Sequence, residues 1–303
     1  MVIDCAIIGG GPAGLNAALV LGRARRQVVL FDDNKPRNAV TQESHGFITR
    51  DGVKPGEFRE IAHQDIAKYP SVQFQGERVV QLIKEDEEGG AFQLITDSGA
   101  SYRARTVLLA TGLKEIVPDV QGIREYYGKS VFNCPYCDGW ELKDKALVVI
   151  AENQHAFHMA KVVYNWSKDV VLCTNGNDIV TPEQKEVLSN KGIRCYEQKI
   201  ASLHGTNGML EKIVFEDGSD LLRDGGFVTI GWSQATGFAE TLGLELNSLQ
   251  GIVTDVLGRT NVKGVYAAGD MSVSGPAQLI GAAAEGNRAA IGVNSDLIEA
   301  EFN

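Results

Sequence analysis

Apolar runs and glycine-rich turns alternate along the chain. Near the N-terminus IDCAIIGG predicts a strand, LNAALVLGRAR has helical spacing, and QVVLFD predicts a second strand. Strand patterns follow between residues 71 and 109, including FQLIT and TVLLAT, and the second is predicted to be buried because no polar residue interrupts it. KALVVIAENQHAFHMAKVVYNW repeats the strand–turn–helix order, and DVVLCTNG and GGFVTIGWS predict further strands. This order predicts an α/β fold built from doubly wound sheets.

The repeated order indicates two Rossmann-like domains, with the second inserted into the first. Periodicity is lost over residues 113–120, where we expect the chain to leave the first domain. After about Leu246 the strand pattern GVYAAGD and a long helical pattern predict a return to it. We therefore expect a discontinuous first domain over residues 1–115 and 247–303 and an inserted domain over 116–246. Two such crossings would permit a hinge.

Composition narrows the class of protein. The 303 residues are 44% hydrophobic and 22% charged, which is typical of a globular protein. Membrane-spanning segments need roughly 18 apolar residues in a row, and the chain has no such run. The first residues resemble a buried strand rather than a signal peptide, which predicts a cytoplasmic protein. The net charge of −10 argues against nucleic acid or an anionic membrane as the main partner.

The first predicted turn has the spacing of a dinucleotide-binding motif. Gly9, Gly11 and Gly14 form G-x-G-x-x-G between a strand and a helix. Such glycines allow a tight turn, a close approach of pyrophosphate and close packing of helix on strand. Asp32, 18 residues after Gly14, ends the next predicted strand, where a carboxylate can bind the adenosine ribose. We expect the turn, with Pro12 and Ala13, to bind a dinucleotide.

Two of the five cysteines are candidates for chemistry. Cys134 and Cys137 are separated by two residues, a spacing that allows a disulfide at the start of a helix. Asp138 follows directly and could transfer the proton that accompanies thiolate chemistry. A zinc site would need two more ligands, and no second C-x-x-C or histidine pair lies nearby. The other three cysteines lie in apolar strand patterns and are predicted to be packing residues: Cys5, Cys173 and Cys195.

Two further segments resemble motifs of FAD enzymes. GVYAAGD resembles the second FAD signature of flavoproteins with two dinucleotide domains, and TVLLATG resembles the ATG turn of the same superfamily. The resemblance implies FAD as the cofactor. Its implied contacts are Ala110, Thr111, Gly112, Gly269, Asp270, Gln278 and Leu279.

FAD signatures at both ends and C-P-Y-C-D-G within the inserted domain resemble the low-molecular-weight thioredoxin reductases, over essentially the whole chain. The resemblance implies that Cys137 receives electrons from the flavin, that Cys134 attacks an external disulfide, and that Asp138 is the acid–base group. It also implies a homodimer with a rotating inserted domain, acting on thioredoxin or another disulfide.

The inserted domain departs from that family where NADPH would bind. Its first strand runs into VIAENQHA without glycine, so that Glu152 and Asn153 stand where a pyrophosphate would lie. The next strand ends in Thr174, Asn175 and Gly176, where the family has an arginine pair for the NADP phosphate. Both departures predict that NADPH is not the ordinary electron donor.

Several alternatives follow from this departure. Electrons could come from a ferredoxin-type donor, or the inserted domain could hold a second flavin. The chain could instead resemble the gliotoxin-type dithiol oxidases, as HGFITRDG and C-P-Y-C followed by Gly-Trp-Glu suggest, although those oxidases have histidine where Asp138 stands. A non-enzymatic redox sensor is a fourth interpretation. His45 could approach the flavin or bond locally, and for His155 and His158 we predict no metal.

Overall fold

The computed structural model of the protein describes residues 3–85, 90–272 and 277–302. It confirms the predicted α/β fold, and the chain divides into two compact units. The first unit comprises Met1–Ala39, Gly46–Lys114 and Trp232–Asn303, and the second comprises Val40–His45 and Glu115–Gly231.

The strands follow one another along the chain in both units. They are β1 (Ile3–Ile8), β2 (Val28–Phe31), β3 (Val72–Gln75), β4 (Val79–Lys84), β5 (Phe92–Thr96), β6 (Ser101–Leu109), β7 (Leu113–Ile116), β8 (Val131–Phe132), β9 (Leu147–Ile150), β10 (Val170–Cys173), β11 (Arg194–Tyr196), β12 (Ile200–Thr206), β13 (Met209–Phe215), β14 (Asp220–Leu222), β15 (Gly225–Val228), β16 (Gly231–Gln234) and β17 (Val265–Ala267).

The helices lie between these strands and at the C-terminal end. They are α1 (Pro12–Arg23), α2 (Pro55–Ile66), α3 (Ile123–Tyr126), α4 (Pro135–Asp138), α5 (Ala156–Val163), α6 (Pro182–Ser189), α7 (Phe238–Thr241) and α8 (Leu279–Phe302), with short 3₁₀ turns at Arg37–Val40 and Asp270–Ser272. Among the described residues, no helix is both long and apolar enough to pass through a membrane.

The first unit is built on a sheet of order β3-β2-β1-β6-β5-β4, with β17 also paired to β6. The strands β3, β2, β1, β6 and β17 are parallel to one another, whereas β5 is antiparallel to both β6 and β4. One face packs on α1 and α8 and the other on α7. Because both faces are covered, the central strands are apolar without alternation.

The second unit repeats this plan with the parallel order β11-β10-β9-β15-β8. Helices α5 and α6 cover one face, and the antiparallel strands β12 to β14 contribute to the core on the other. Its strands β9 and β10 are fully buried, as their apolar runs predict.

The observed division of the chain differs from the predicted domain bounds at two places. Residues from Trp232 onward belong to the first unit, whereas we expected the return at residue 247, because Phe238 and Leu244 are buried in the first unit's core. The segment Val40–His45 belongs to the second unit, where the Val40 carbonyl lies against Gly128. The predicted strand GGFVTIGWS is also two strands, β15 and β16.

Candidate active site

The glycine turn of the first unit is closely packed against its own backbone. Gly9 has φ +108°, and a Cβ atom there would collide with the Ala110 carbonyl; a Cβ on Gly14 would collide with the Gly9 carbonyl. Gly11 differs, because a Cβ there would meet no protein atom within 4 Å. It is the N-cap of α1, and no side chain caps the helix. The free amides of the first turn are therefore directed at open space beside Gly11.

The predicted ribose-binding carboxylate lies beside this turn and is paired with an arginine. Asp32 packs against Gly10, where a Cβ would overlap its carboxylate. Arg59 of α2 donates hydrogen bonds to the Asp32 carboxylate and, at 2.7 Å, to the Gly10 carbonyl. Arg59 thus fixes both the acid and the turn, a role that sequence reasoning missed.

The three predicted FAD motifs meet at one edge of the first unit's sheet. Ala110 and Thr111 lie against Gly9, and Gly112 makes the next bend with φ +67°. Gly269 packs on Ala13 with φ +81°. Its amide donates to Glu285 of α8 at 2.8 Å, which anchors the second signature.

The acid of the second signature also has an arginine partner. Asp270 accepts a hydrogen bond from Arg37 at 2.5 Å, and the Arg37 guanidinium lies 5.1 Å from the centre of the Trp232 ring. Sequence reasoning missed Arg37 as well. Gln278 lies directly before α8, which begins at Leu279, and its carbonyl accepts the Ala282 amide.

The second unit contains the predicted redox pair as a disulfide. Cys134 and Cys137 are bonded, with their Cα atoms 5.3 Å apart. Cys134 is the N-cap of α4, and Pro135 begins the helix, so the disulfide spans its first turn. Asn133, just before the pair, donates to Glu115 at 3.1 Å, and Glu115 also accepts from Tyr127 at 2.7 Å.

Asp138 is held in an environment suited to proton transfer at neutral pH. Burial is the main cause that raises its pKa to about 7, and the charge of Glu141 raises it further, whereas His45 lowers it. His45 lies 3.6 Å from Glu141 and 3.8 Å from Glu43. A carboxyl group with a pKa near the working pH can both give and take a proton.

Aromatic residues surround the disulfide helix. Tyr136 and Trp140 are 69% and 67% exposed, and the Tyr136 ring meets the Trp166 ring edge-on, with 5.4 Å between ring centres. A Cβ on Gly139 would lie 2.7 Å from the Trp166 ring, which explains the glycine after Asp138.

The turn of the second unit that corresponds to the glycine turn of the first has its own hydrogen bonds. Glu152 accepts a hydrogen bond from the Asn175 side chain at 2.5 Å, and Asn175 accepts the Ile200 amide at 2.7 Å. Asn153 accepts the amide of His155, the N-cap of α5, at 3.0 Å. Side chains of this chain thus occupy positions that the glycine turn leaves open.

The remaining cysteines are poor candidates for chemistry. Burial raises the pKa of Cys5 and Cys173 to about 12, so their thiols stay protonated, and burial also raises that of Cys195. Within the described ranges, no three His, Cys, Asp or Glu side chains come together as a metal site. His155 and His158 are exposed.

Known proteins with the same features identify the family. The sequence model of the family of pyridine nucleotide-disulphide oxidoreductases matches residues 3–286. The chain belongs to this family. A probable thioredoxin reductase of Arthroderma benhamiae is 30% identical, over 97% of this chain and 80% of the relative. The thioredoxin reductase tcpT of Claviceps purpurea is 33% identical, over 89% of this chain and 86% of the relative.

A solved structure extends this similarity to the fold. The crystal structure of a putative thioredoxin reductase, TrxB, from Bacillus anthracis is 50% identical, with a TM-score of 0.95 over 99% of this chain and all of that one. The present chain is thus a thioredoxin reductase-like disulfide oxidoreductase of the pyridine nucleotide-disulphide oxidoreductase family.

FAD is the cofactor of this oxidoreductase, as predicted, and the first unit fits it. The uncapped amides at Gly11 suit a pyrophosphate, and the glycines at positions 9 and 14 leave no room for side chains that would fill the turn. Asp32 and Asp270 offer carboxylates for ribose and ribityl hydroxyls. Arg37 and Arg59 add positive charge beside an anionic cofactor.

Proposed function

We propose that the chain reduces a protein disulfide such as that of thioredoxin through Cys134 and Cys137, with a donor other than NADPH. The observation that carries the proposal is the disulfide on the first turn of α4, next to a carboxyl group whose pKa is raised to about 7. FAD, when bound, supplies the electron pair that opens this disulfide. The residues of the chain carry out the exchange.

The exchange balances in two steps. The Cys134 thiolate attacks one sulfur of the substrate disulfide, which forms a mixed disulfide and releases the other sulfur as a thiolate. The Cys137 thiolate then attacks the Cys134 sulfur, which restores the Cys134–Cys137 disulfide and releases the second substrate thiolate. Two protons pass from the dithiol to the two substrate thiolates. Asp138 is the group that we assign to this transfer.

The donor assignment depends on the second unit. A nucleotide pyrophosphate needs free backbone amides and close approach, and both are opposed at Glu152 and Asn153. We therefore infer a donor that needs no such turn, for example a ferredoxin-type protein. From the similarity of the whole chain to thioredoxin reductases, we also propose that the protein is a cytoplasmic homodimer.

Anaerobic mixing with NADPH tests the donor. We expect the flavin absorbance to persist with NADPH and to bleach with dithionite. Rapid bleaching by NADPH would refute this part of the proposal. The number of FAD molecules per chain should be one, and a count of two would support a second flavin in the second unit.

A single-turnover assay tests the cysteines. Protein reduced by dithionite, with the excess removed, is mixed with oxidised thioredoxin. We expect Cys137→Ser to stop at the mixed disulfide with Cys134 and to release no reduced thioredoxin while retaining FAD, whereas the matched variant Cys195→Ser, at a half-buried thiol of the same unit, should retain activity. Unchanged thiol release by Cys137→Ser would contradict the assignment.

A dithiol oxidase is the second candidate. It is favoured by the altered turn of the second unit, because oxygen accepts electrons without a nucleotide site. Two rates are compared: oxygen uptake with dithiothreitol, and reduction of oxidised thioredoxin with an added reductant. A faster oxygen uptake would favour the oxidase. The family assignment favours either enzyme over a non-enzymatic redox sensor.

A further inference from the structure

His45 is far from the disulfide in the sequence but belongs to the same unit. The segment Val40–His45 is part of the second unit. Its Val40 packs closely on Gly128, because a Cβ atom on Gly128 would lie only 2.7 Å from the Val40 carbonyl oxygen. The His45 side chain is 18% exposed. His45 and the Cys134–Cys137 disulfide therefore belong to one compact unit.

The imidazole of His45 lies between two carboxylates. Its Nε2 atom is 3.6 Å from Glu141 Oε1 and 3.8 Å from Glu43 Oε2. Glu43 is 54% exposed and Glu141 is 41% exposed, so solvent screens the Glu43 charge more. Glu141 follows Asp138 by three residues, and the charges of Glu141 and His45 both act on Asp138.

The two members of this pair act on Asp138 in opposite directions. Beside burial, which is the largest cause, the charge of Glu141 raises the pKa of Asp138, and His45 lowers it. Other charged groups near the disulfide helix have partners of their own. Glu115 accepts hydrogen bonds from Asn133 and Tyr127, and the Lys143 ammonium lies 3.5 Å from the centre of the Trp140 ring.

We propose that His45 is a positioning residue for the thiol–disulfide step, and that with Glu141 it sets the pH range over which Asp138 gives and takes its proton. The inference rests on the proposed role of Asp138. Its consequence is that the two substitutions shift the pH profile in opposite directions. A purely structural role for His45 would not produce that pattern.

The test is the pH profile of thiol release in the single-turnover assay with oxidised thioredoxin. If protonated Asp138 serves the leaving thiolate, the rate falls with rising pH as Asp138 ionises. For His45→Asn we expect this fall to move up by about half a pH unit, and for Glu141→Gln down by a similar amount, since both groups are partly screened. The double variant should lie near the wild-type profile. His158→Asn, an exposed histidine of the same unit, should leave it unchanged.

A second readout does not depend on turnover. The carboxyl band of protonated Asp138, identified by its loss in Asp138→Asn, can be followed by infrared difference spectroscopy against pH. It should persist to higher pH in His45→Asn and vanish at lower pH in Glu141→Gln. Shifts in the same direction, or none, would overturn the inference. If instead Asp138→Asn retains the wild-type pH profile, the proposed role of Asp138 fails first, and the two failures are thus distinguishable.

Discussion

Each unit contains a strand–turn–helix segment, β1 to α1 in the first and β9 to α5 in the second, and the two turns differ. In the first, three residues join β1 to α1, and the N-cap is Gly11, with no side chain. In the second, five residues join β9 to α5, and the Asn153 side chain accepts the N-cap amide of His155. The first turn leaves the amides of α1 uncapped, whereas in the second Asn153 accepts the amides of His155 and Ala156. A shared sheet topology therefore does not imply a shared ligand.

The candidate functional carboxyl groups of the two units also have different charged neighbours. Asp32 and Asp270 of the first unit are paired with Arg59 and Arg37. Asp138 of the second is buried beside Glu141, which favours its protonated form. The first arrangement suits permanent hydrogen-bond acceptors, and the second suits a group that must exchange a proton.

The largest effect is expected at Gly11. Because a Cβ there meets no protein atom and φ is −77°, Gly11→Ala should fold normally. The added methyl would stand where pyrophosphate must approach, so we expect FAD affinity to fall about 100-fold, or roughly 3 kcal/mol. Fluorescence titration of the apoprotein with FAD measures it.

The matched variant lies at the N-cap of α5. His155→Ala should leave FAD affinity unchanged, because that turn binds no cofactor in our interpretation. Equal losses in both variants would erase the contrast between the two turns.

The next effect concerns the stability of the second unit. Burial raises the Asp138 pKa from 3.8 to about 7, so between about pH 4 and 7 the unfolded chain has lost a proton that the folded chain retains. The stability contributed by this group therefore falls as pH rises through that window and is constant above it. Asp138→Asn should be more stable than wild type at pH 8, by on the order of 2 kcal/mol, and equally stable at pH 4. Urea unfolding at both pH values checks this.

An exposed acid of the same unit provides the control. A hydrogen bond from Ser219 lowers the pKa of Asp217, so Asp217→Asn should lose a little stability at pH 8 instead of gaining it. A gain in both variants would indicate a general charge effect on the acidic chain.

A smaller effect is expected at Gly139. An alanine there would place a methyl group 2.7 Å from the Trp166 ring, which should cost about 1–3 kcal/mol of unfolding free energy. Gly56→Ala, in α2 of the first unit with nothing within 4 Å, should gain about 0.4–1 kcal/mol. Thermal unfolding of both variants tests the difference, and a stabilised Gly139→Ala would contradict the close packing.

The features that sequence predicts are those written in short local patterns. The strand–turn–helix order, the glycine turn and the C-x-x-C pair follow from spacing within a few residues, and the FAD cofactor follows from the resemblance of two short motifs to FAD signatures. Arg37, Arg59 and His45 are far in the sequence from Asp270, Asp32 and Glu141, and only tertiary packing brings these pairs together. The chain returns to the first unit at residue 232, earlier than the predicted residue 247, for the same reason. No local pattern in residues 232–246 shows which core buries Phe238.

The smallest effect is expected at the turn between β9 and α5 of the second unit. Glu152 is exposed and makes one hydrogen bond to Asn175, so Glu152→Ala should cost less than about 1 kcal/mol. Asn175→Ala should cost more, because Asn175 has φ +52° and also accepts the Ile200 amide. In anaerobic mixing with NADPH we expect Glu152→Ala to behave as wild type, since removing one carboxylate does not restore the glycines that let backbone approach a pyrophosphate. Rapid flavin bleaching in this variant alone would mean that charge, and not the shape of the backbone, separates the two turns.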